Sequence, residues 1–120
     1  MYEIKFYVTG RGECPFRTFL DGSQPKVRAK FVNILDLLAE QGPNLKRPYA
    51  DTLRDGIREL RVRMASNRFR ALYFFVRGKH IIITHGFLKN ADKVPPEEID
   101  RALRYKGDFE DRLRRGEVSL

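Results

Sequence analysis

Basic side chains alternate along two consecutive stretches of the sequence. Arg61 and Arg63 lie in the first stretch, and Arg68 and Arg70 open the second. If both stretches are β-strands, residues two positions apart share one face of the sheet. The planar guanidinium of arginine pairs with two phosphate oxygens at once. The pattern therefore indicates a phosphate-binding surface; the alternative is a solvated face on which Arg61 pairs with Glu59.

Groups that could transfer protons follow closely in the sequence. His85 belongs to the residue type that titrates near neutral pH, although a histidine flanked by isoleucines is more often a core residue. Lys89 and Lys93 could bind phosphate or assist proton transfer. Tyr73 lies in the same stretch as Arg68 and Arg70. The alternative is that both lysines are ordinary solvated side chains.

Cleavage of RNA without a metal ion needs groups of these kinds. The neighbouring 2′-hydroxyl attacks the phosphorus, a base takes its proton, an acid protonates the leaving oxygen, and cations stabilise the charged phosphorane. With two histidines and one cysteine, the sequence offers no convincing metal site, and we expect no cofactor. The predicted catalytic residues are Arg70, Lys89, Lys93 and His85, and the predicted RNA-binding residues are Arg61, Arg68, Arg63 and Tyr73.

The overall charge also favours a polyanionic partner. Lysine and arginine total 24 and aspartate and glutamate total 16, so the net charge is +8. The basic residues are spread along the chain, which argues against an anionic membrane surface. Cys14 is the single cysteine and can form no intramolecular disulfide. No signal-peptide pattern is visible, and we expect a cytoplasmic protein.

The elements that must position these residues indicate an α+β domain spanning residues 1–120, with a basic tail from about 109 to 120. Residues 2–8 alternate as a first strand, and residues 14–20 could form a short helix. A longer helix is predicted from Ser23 and Pro25, with an apolar stripe from Val27 to Leu38. Gly42 and Pro43 end it, and residues 44–52 are predicted to be a loop.

Three strands are predicted next, followed by a last helix. Residues 57–64, 69–77 and 80–88 have the apolar and β-branched content of strands and are separated by short turns, which favours an antiparallel meander. Pro95 and Pro96 open the last helix, which the Lys106–Asp108 segment could interrupt. We expect helices on one face of a small antiparallel sheet and a solvated opposite face.

Four short motifs resemble the RelE/HigB family, the toxin side of type II toxin–antitoxin modules within the RelE/ParE superfamily, which includes phage-derived members. They are residues 57–62 (IRELRV), 68–74 (RFRALYF), 85–89 (HGFLK) and 93–95 (KVP). The resemblance covers about residues 2–108. It implies a small antiparallel sheet with one or more N-terminal helices packed on one face and a C-terminal helix.

The resemblance also implies an activity and partners. Similar proteins are mRNA interferases, many of which cut mRNA on the translating ribosome without a metal. A cognate helix-turn-helix antitoxin binds and silences the toxin, and the complex contacts operator DNA through the antitoxin. Arg70 matches the arginine of the second strand motif, while Lys89 and Lys93 match basic positions after the last strand. Asn90 replaces a second lysine, and Tyr105 is a candidate for the family's C-terminal catalytic tyrosine.

Two other functions fit the same pattern. One is a ParE-like toxin that inhibits DNA gyrase by binding a protein, and the other is a non-catalytic, phage-derived module that binds nucleic acid or an antitoxin. The nuclease interpretation requires the Arg70 guanidinium to lie near Lys89 and Lys93 at an open sheet surface. A guanidinium turned into the core, paired with an acid and far from both lysines, would contradict it.

Overall fold

The computed structural model describes residues 1–120, which form a five-stranded sheet between helices on both of its faces. The meander expected from the sequence is present, and the α+β class is confirmed. In chain order the elements are β1 (Glu3–Phe6), α1 (Pro15–Asp21), α2 (Pro25–Gln41), a 3-10 turn (Gly42–Asn44), β2 (Ala50–Thr52), β3 (Arg58–Met64), β4 (Asn67–Val76), β5 (His80–Lys89) and α3 (Pro96–Arg114).

The strand order is β1-β5-β4-β3-β2. Strands β2 to β5 pair antiparallel, but β1 pairs parallel to β5, so the sheet is mixed rather than wholly antiparallel. Strand β2 lies within residues 44–52, which were predicted to be a loop. Its three residues are too few to show an alternating pattern, and its pairing with β3 defines it.

The helices pack on opposite faces of the sheet, which corrects the expectation that all of them share one face. α1 and α2 cover Leu60, Ala71 and Tyr73, whereas α3 covers Leu72 and Phe74 on the other side. The second face needs cover because Leu72 and Phe74 share it with Arg68 and Arg70, and large apolar side chains there would otherwise be exposed.

A β-bulge in β5 decides which of its side chains face α3. Leu72 pairs with His85 and Tyr73 pairs with Ile83, so Thr84 is an extra residue in the strand. One extra residue reverses the facing of every residue after it. His85 and Lys89 therefore point to the α3 side, although they have the same odd numbering as Ile81 and Ile83 on the other side. Gly86 then faces α1, where a Cβ would collide with the Phe19 ring.

The helices begin and end near the residues predicted from the sequence, with small differences. α2 begins at Pro25 with Gln24, not Ser23, as its N-cap, and it ends before Gly42, whose φ of 53° favours glycine. α3 runs without a break through the Lys106–Asp108 segment, because its buried face continues to Phe109. None of the helices combines the length and apolarity that a membrane crossing requires.

Candidate functional site

α3 covers only part of its face of the sheet. It buries Leu72 and Phe74, and the end of that face nearest the β3–β4 turn is left open. Basic side chains from β3, β4, β5 and two loops line the open part, which we call the cationic cleft. Its charged lining residues are the cations Arg47, Arg54, Arg61, Arg63, Arg68, Arg70, Lys89 and Lys93 and the acids Asp51, Glu59 and Asp92.

Strand register brings like charges directly opposite one another in this cleft. Arg61 pairs with Arg70, Arg63 pairs with Arg68, and Arg68 also lies opposite Lys89 on β5. Arg61 and Arg70 therefore sit side by side across the β3–β4 hairpin. Like charges in such positions are destabilising, so packing alone does not account for the arrangement.

Glu59 is the acid that joins the two central arginines of the cleft. One carboxylate oxygen accepts a hydrogen bond from Arg70 Nε at 3.0 Å, and the other accepts from Arg61 Nη1 at 2.8 Å. Glu59 and Arg70 are each 3% exposed, whereas the side chain of Arg61 is 25% exposed. Glu59 therefore fixes both guanidiniums by a shared, largely buried ion pair.

The position of Arg70 alters its predicted role. Its Nε is bound to Glu59 and its Nη1 donates to the Phe69 carbonyl oxygen, so two of its nitrogens hold the guanidinium against the strand. Burial lowers the pKa of Arg70, and the Glu59 carboxylate opposes that effect. Arg70 is anchored to an acid, as the contradicting case required, but it still lines the cleft and is not remote from Lys89. Direct binding of phosphate by Arg70 is therefore limited to Nη2 and the second N–H of Nη1.

Lys89 lies beside the arginines at the end of β5. Its Nζ donates to the Asp92 carbonyl oxygen at 2.9 Å, which holds the ammonium at the cleft wall. Burial lowers the pKa of Lys89, and the positive charges of Arg68 and Arg70 lower it further. A lysine with a lowered pKa gives up a proton more readily than an ordinary one, so Lys89 has the chemistry of an acid or base.

Three cations of the cleft have no acidic partner. Arg63, Arg68 and Lys93 form no ion pair and no side-chain hydrogen bond. Arg63 and Lys93 are exposed, and Arg68 is half-buried. Because no carboxylate of the chain is paired with them, they remain available to an anion that enters the cleft.

Comparison with protein families places the chain in one of them. A family model described as "Phage derived protein Gp49-like (DUF891)" matches residues 18–106, which include every residue of the cationic cleft. The chain belongs to the Gp49-like family. This family is associated with RelE-like toxins, in agreement with the toxin–antitoxin kind of protein expected from the sequence. No curated protein is significantly similar to the chain.

His85 of this Gp49-like chain lies outside the cleft. It is 1% exposed beneath α3, with Nε2 at 3.1 Å from Glu98 and Nδ1 at 3.0 Å from the Thr84 hydroxyl. Burial, reinforced by Arg101 and Arg104, lowers the pKa of His85 to about 3, so the imidazole is neutral. An inaccessible neutral imidazole cannot protonate a leaving group, and this geometry argues against the predicted catalytic role of His85.

Tyr73 is also misplaced in the predicted RNA-binding set. It faces α1 and α2, is fully buried, and lies on the side of the sheet opposite the cleft. Side chains alternate between the two faces of a strand, so Tyr73, at an odd-numbered position, points away from Arg68 and Arg70. This difference is visible in the sequence itself. Tyr105 is likewise remote: its ring stacks on Tyr7, and its hydroxyl accepts from Arg101. Neither tyrosine can contact RNA in the cleft.

Sequence reasoning missed Arg47, Arg54 and the central position of Glu59. Arg47 pairs with Asp51, and Arg54 pairs with Asp55 and Asp100, so both belong to the wall around β2. Residues in loops and very short strands show no periodicity that would place them. The pairing of Glu59 with Arg61 was one alternative at the level of the sequence, but the link from Glu59 to Arg70 depends on the β3–β4 register.

Proposed function

We propose that this Gp49-like protein is the toxin of a type II toxin–antitoxin module of RelE/HigB type, and that it cuts mRNA in the cytoplasm without a metal ion. The main support for this proposal is the set of unpaired cations, Arg63, Arg68 and Lys93, around an open cleft that also contains Lys89. Their mutual repulsion is a cost to folding that a bound phosphate would relieve.

In the proposed reaction the RNA supplies its own nucleophile. The 2′-oxygen attacks the adjacent phosphorus as its proton passes to a base, the P–O5′ bond breaks, and the 5′-oxygen receives a proton. The products are a 2′,3′-cyclic phosphate and a 5′-hydroxyl. Arg68, Lys93 and Arg61 stabilise the charged phosphorane, and Lys89 serves in proton transfer. Arg70 acts through Glu59, by holding that carboxylate and Arg61 in place.

The same surface suggests how partners are recruited. An open cleft flanked by basic loops suits an mRNA strand presented by the ribosome better than a duplex, because single strands can follow an irregular cationic groove. A cognate helix-turn-helix antitoxin would silence the toxin, and operator DNA would be contacted through that complex only. These partners are part of the proposal and rest on the family association as well as on the cleft.

The test compares two double variants that each remove two positive charges. Arg68→Gln with Lys93→Gln removes unpaired cations of the cleft. Arg77→Gln with Lys79→Gln removes exposed cations at the β4–β5 turn, at the other end of the sheet. After induction in bacteria, mRNA ends are mapped, and purified proteins are incubated with mRNA alone and with programmed ribosomes. We expect the first variant to lose cleavage by at least about 100-fold, since each electrostatic contact to a transition state is worth about 10²-fold or more.

The turn variant should cleave like the parent protein and thereby show that net charge is not the cause. Fragments should end in 2′,3′-cyclic phosphate and 5′-hydroxyl groups. Intact mRNA with damaged DNA would overturn the proposal in favour of gyrase inhibition. RNA binding without any cleavage, with or without ribosomes, would overturn it in favour of a non-catalytic binding module.

A further inference from the structure

Tyr49 differs from every other tyrosine and phenylalanine in the chain. The sequence contains five tyrosines and nine phenylalanines, and each one except Tyr49 packs against another aromatic ring or the His85 imidazole. Tyr49 is 48% exposed, and its hydroxyl makes no hydrogen bond within the chain. Its ring therefore has a free aromatic face in a protein that otherwise pairs its rings.

This ring forms one wall of a pocket of about 250 Å³ at the edge of β3. β2 pairs with β3 only as far as Leu60, and one more hydrogen bond, from Arg61 N to the Tyr49 carbonyl oxygen, ends the ladder. Beyond that point the edge of β3 is open. Apolar side chains of α2 and β3 form the pocket floor, namely Ile34, Leu37 and Val62, and its polar rim consists of Lys30, Asn33, Arg61 and Arg63.

The pocket is continuous with the cationic cleft. Arg61 lines the pocket and both parts of the cleft, and Arg63 lines the pocket and the nearer part. A strand whose phosphates lie along Arg63 and Arg68 would therefore have a neighbouring base within reach of Tyr49. The residues lining the pocket include cations but no acid.

We infer that the Tyr49 pocket receives one unpaired nucleobase of the RNA strand held in the cleft, with the base stacked on the Tyr49 ring. Aromatic side chains bind single-stranded bases in this way, and adjacent cations hold the flanking phosphates. The inference rests on the proposed function and adds to it the element that reads the base next to the phosphates. Tyr49 would be a specificity-determining residue rather than a catalytic one.

A nucleobase fits these features better than a peptide strand from a protein partner. Strand addition needs a longer run of free backbone than the few residues of β3 left beyond β2. The pocket is smaller than the roughly 300–1,000 Å³ of typical ligand sites, which suits one planar ring system. The Asn33 amide at the rim offers both a donor and an acceptor to a base edge.

The test uses a short 2′-O-methyl RNA, which binds but cannot be cut because its attacking hydroxyl is blocked. In a series of otherwise identical oligonucleotides, one abasic site replaces each base in turn. For the parent protein we expect one position at which base loss weakens binding on the order of tenfold to a hundredfold. Tyr49→Phe should keep this profile, whereas Tyr49→Leu should flatten it and leave the salt-dependent binding intact.

The chain has no tryptophan, so an introduced indole gives a second, independent readout. Emission from Tyr49→Trp should be quenched by the intact oligonucleotide and not by the one that lacks the critical base. Val8→Trp, at an exposed site on the far edge of the sheet, is the matched control and should show no such difference.

Each alternative result has a definite meaning. A flat abasic profile for the parent protein, or an unchanged profile for Tyr49→Leu, overturns the base pocket and leaves phosphate binding by the cleft standing. Loss of antitoxin binding in Tyr49→Leu with an unchanged RNA profile overturns it in favour of a protein interface. If the parent protein binds no RNA at low salt, the base pocket and the proposed function fall together.

Discussion

The α3 face of the sheet consists of two regions that handle polar groups in opposite ways. Under α3, buried polar side chains are paired: the Tyr7 hydroxyl donates to Asp108 at 2.6 Å, and His85 lies 3.1 Å from Glu98. Burial and the Asp108 carboxylate raise the pKa of Tyr7 to about 12, so its hydroxyl stays protonated. In the cationic cleft, by contrast, Arg61 and Arg70 share Glu59, whereas Arg63, Arg68 and Lys93 have no acidic partner.

The region under α3 is organised for stability, whereas the cationic cleft is not. The covered region joins α3 to the sheet by apolar contacts and matched hydrogen bonds. The cleft keeps like charges opposite one another although glutamine or threonine at the same sites would avoid that cost. Residues that are costly to the fold but close to each other in an open concave surface are typical of functional sites.

The largest expected effect comes from breaking the buried ion pair between Arg70 and Glu59 at the cleft floor. Arg70→Ala leaves the Glu59 carboxylate buried with Arg61 as its one remaining partner. An uncompensated buried charge costs on the order of 3–5 kcal/mol, and the remaining pair with Arg61 should limit the loss to about 3 kcal/mol. We therefore expect Arg70→Ala to have a clearly lower free energy of unfolding in urea.

A matched double variant separates charge burial from loss of packing. Glu59→Gln combined with Arg70→Met removes both buried charges, keeps similar side-chain volume and should recover most of the lost stability. Growth arrest would still be weakened, since Arg61 loses its anchor. An Arg70→Ala protein as stable as its parent would show that the cleft floor is solvated and that Glu59 does not organise it.

The sequence predicted the parts of this division that depend on alternation. Period-two patterning correctly placed Arg61 and Arg63 on one face of β3, and it placed Arg68 and Arg70 beside them. It also put Leu72 and Phe74 on that same face, which was the available indication that a helix must cover part of it. The expectation that this whole face is solvated was therefore wrong, because it relied on the arginines and neglected Leu72 and Phe74.

Other features depend on contacts that no local pattern records. The extra residue Thr84 lies in a run of β-branched residues that would form a regular strand equally well, yet it brings both His85 and Lys89 to the α3 side. The Tyr49 pocket exists because β2 stops early, and β2 itself is defined by pairing with a distant strand. Such features follow from tertiary register, which sequence periodicity does not specify.

An intermediate effect is expected from acidifying the covered region. The His85 pKa of about 3 in the folded protein lies below its ordinary value of 6.5, so the unfolded chain binds more protons between those values. Stability is therefore fully present above pH 6.5 and falls as the pH decreases. For one such group the loss between pH 7 and pH 5 is about 2 kcal/mol.

The measurement is the free energy of unfolding in urea at both pH values. His85→Gln, which cannot titrate, should be less stable at pH 7 but should lose about 2 kcal/mol less than the parent on acidification. Phe74→Leu serves as the control, because it weakens contact with α3 and removes no titrating group. Equal pH dependence in the parent and His85→Gln would mean that His85 is accessible to protons and that the covered region is less closed than its burial indicates.

The smallest effect has the opposite sign and bears most directly on the cleft. Arg68→Gln removes a cation that lies opposite both Arg63 and Lys89 and has no acidic partner. Relief of these repulsions should stabilise the fold by about 0.5 kcal/mol at low salt, and the gain should fade as salt screens the charges. Arg77→Gln, at the β4–β5 turn, should show no comparable gain. If Arg68→Gln stabilises the protein while it weakens RNA cleavage, Arg68 contributes to function at the expense of stability. A loss of stability instead would mean that the aliphatic stem of Arg68 packs favourably enough to outweigh the repulsion, and the cleft would then resemble the covered region in its energetics.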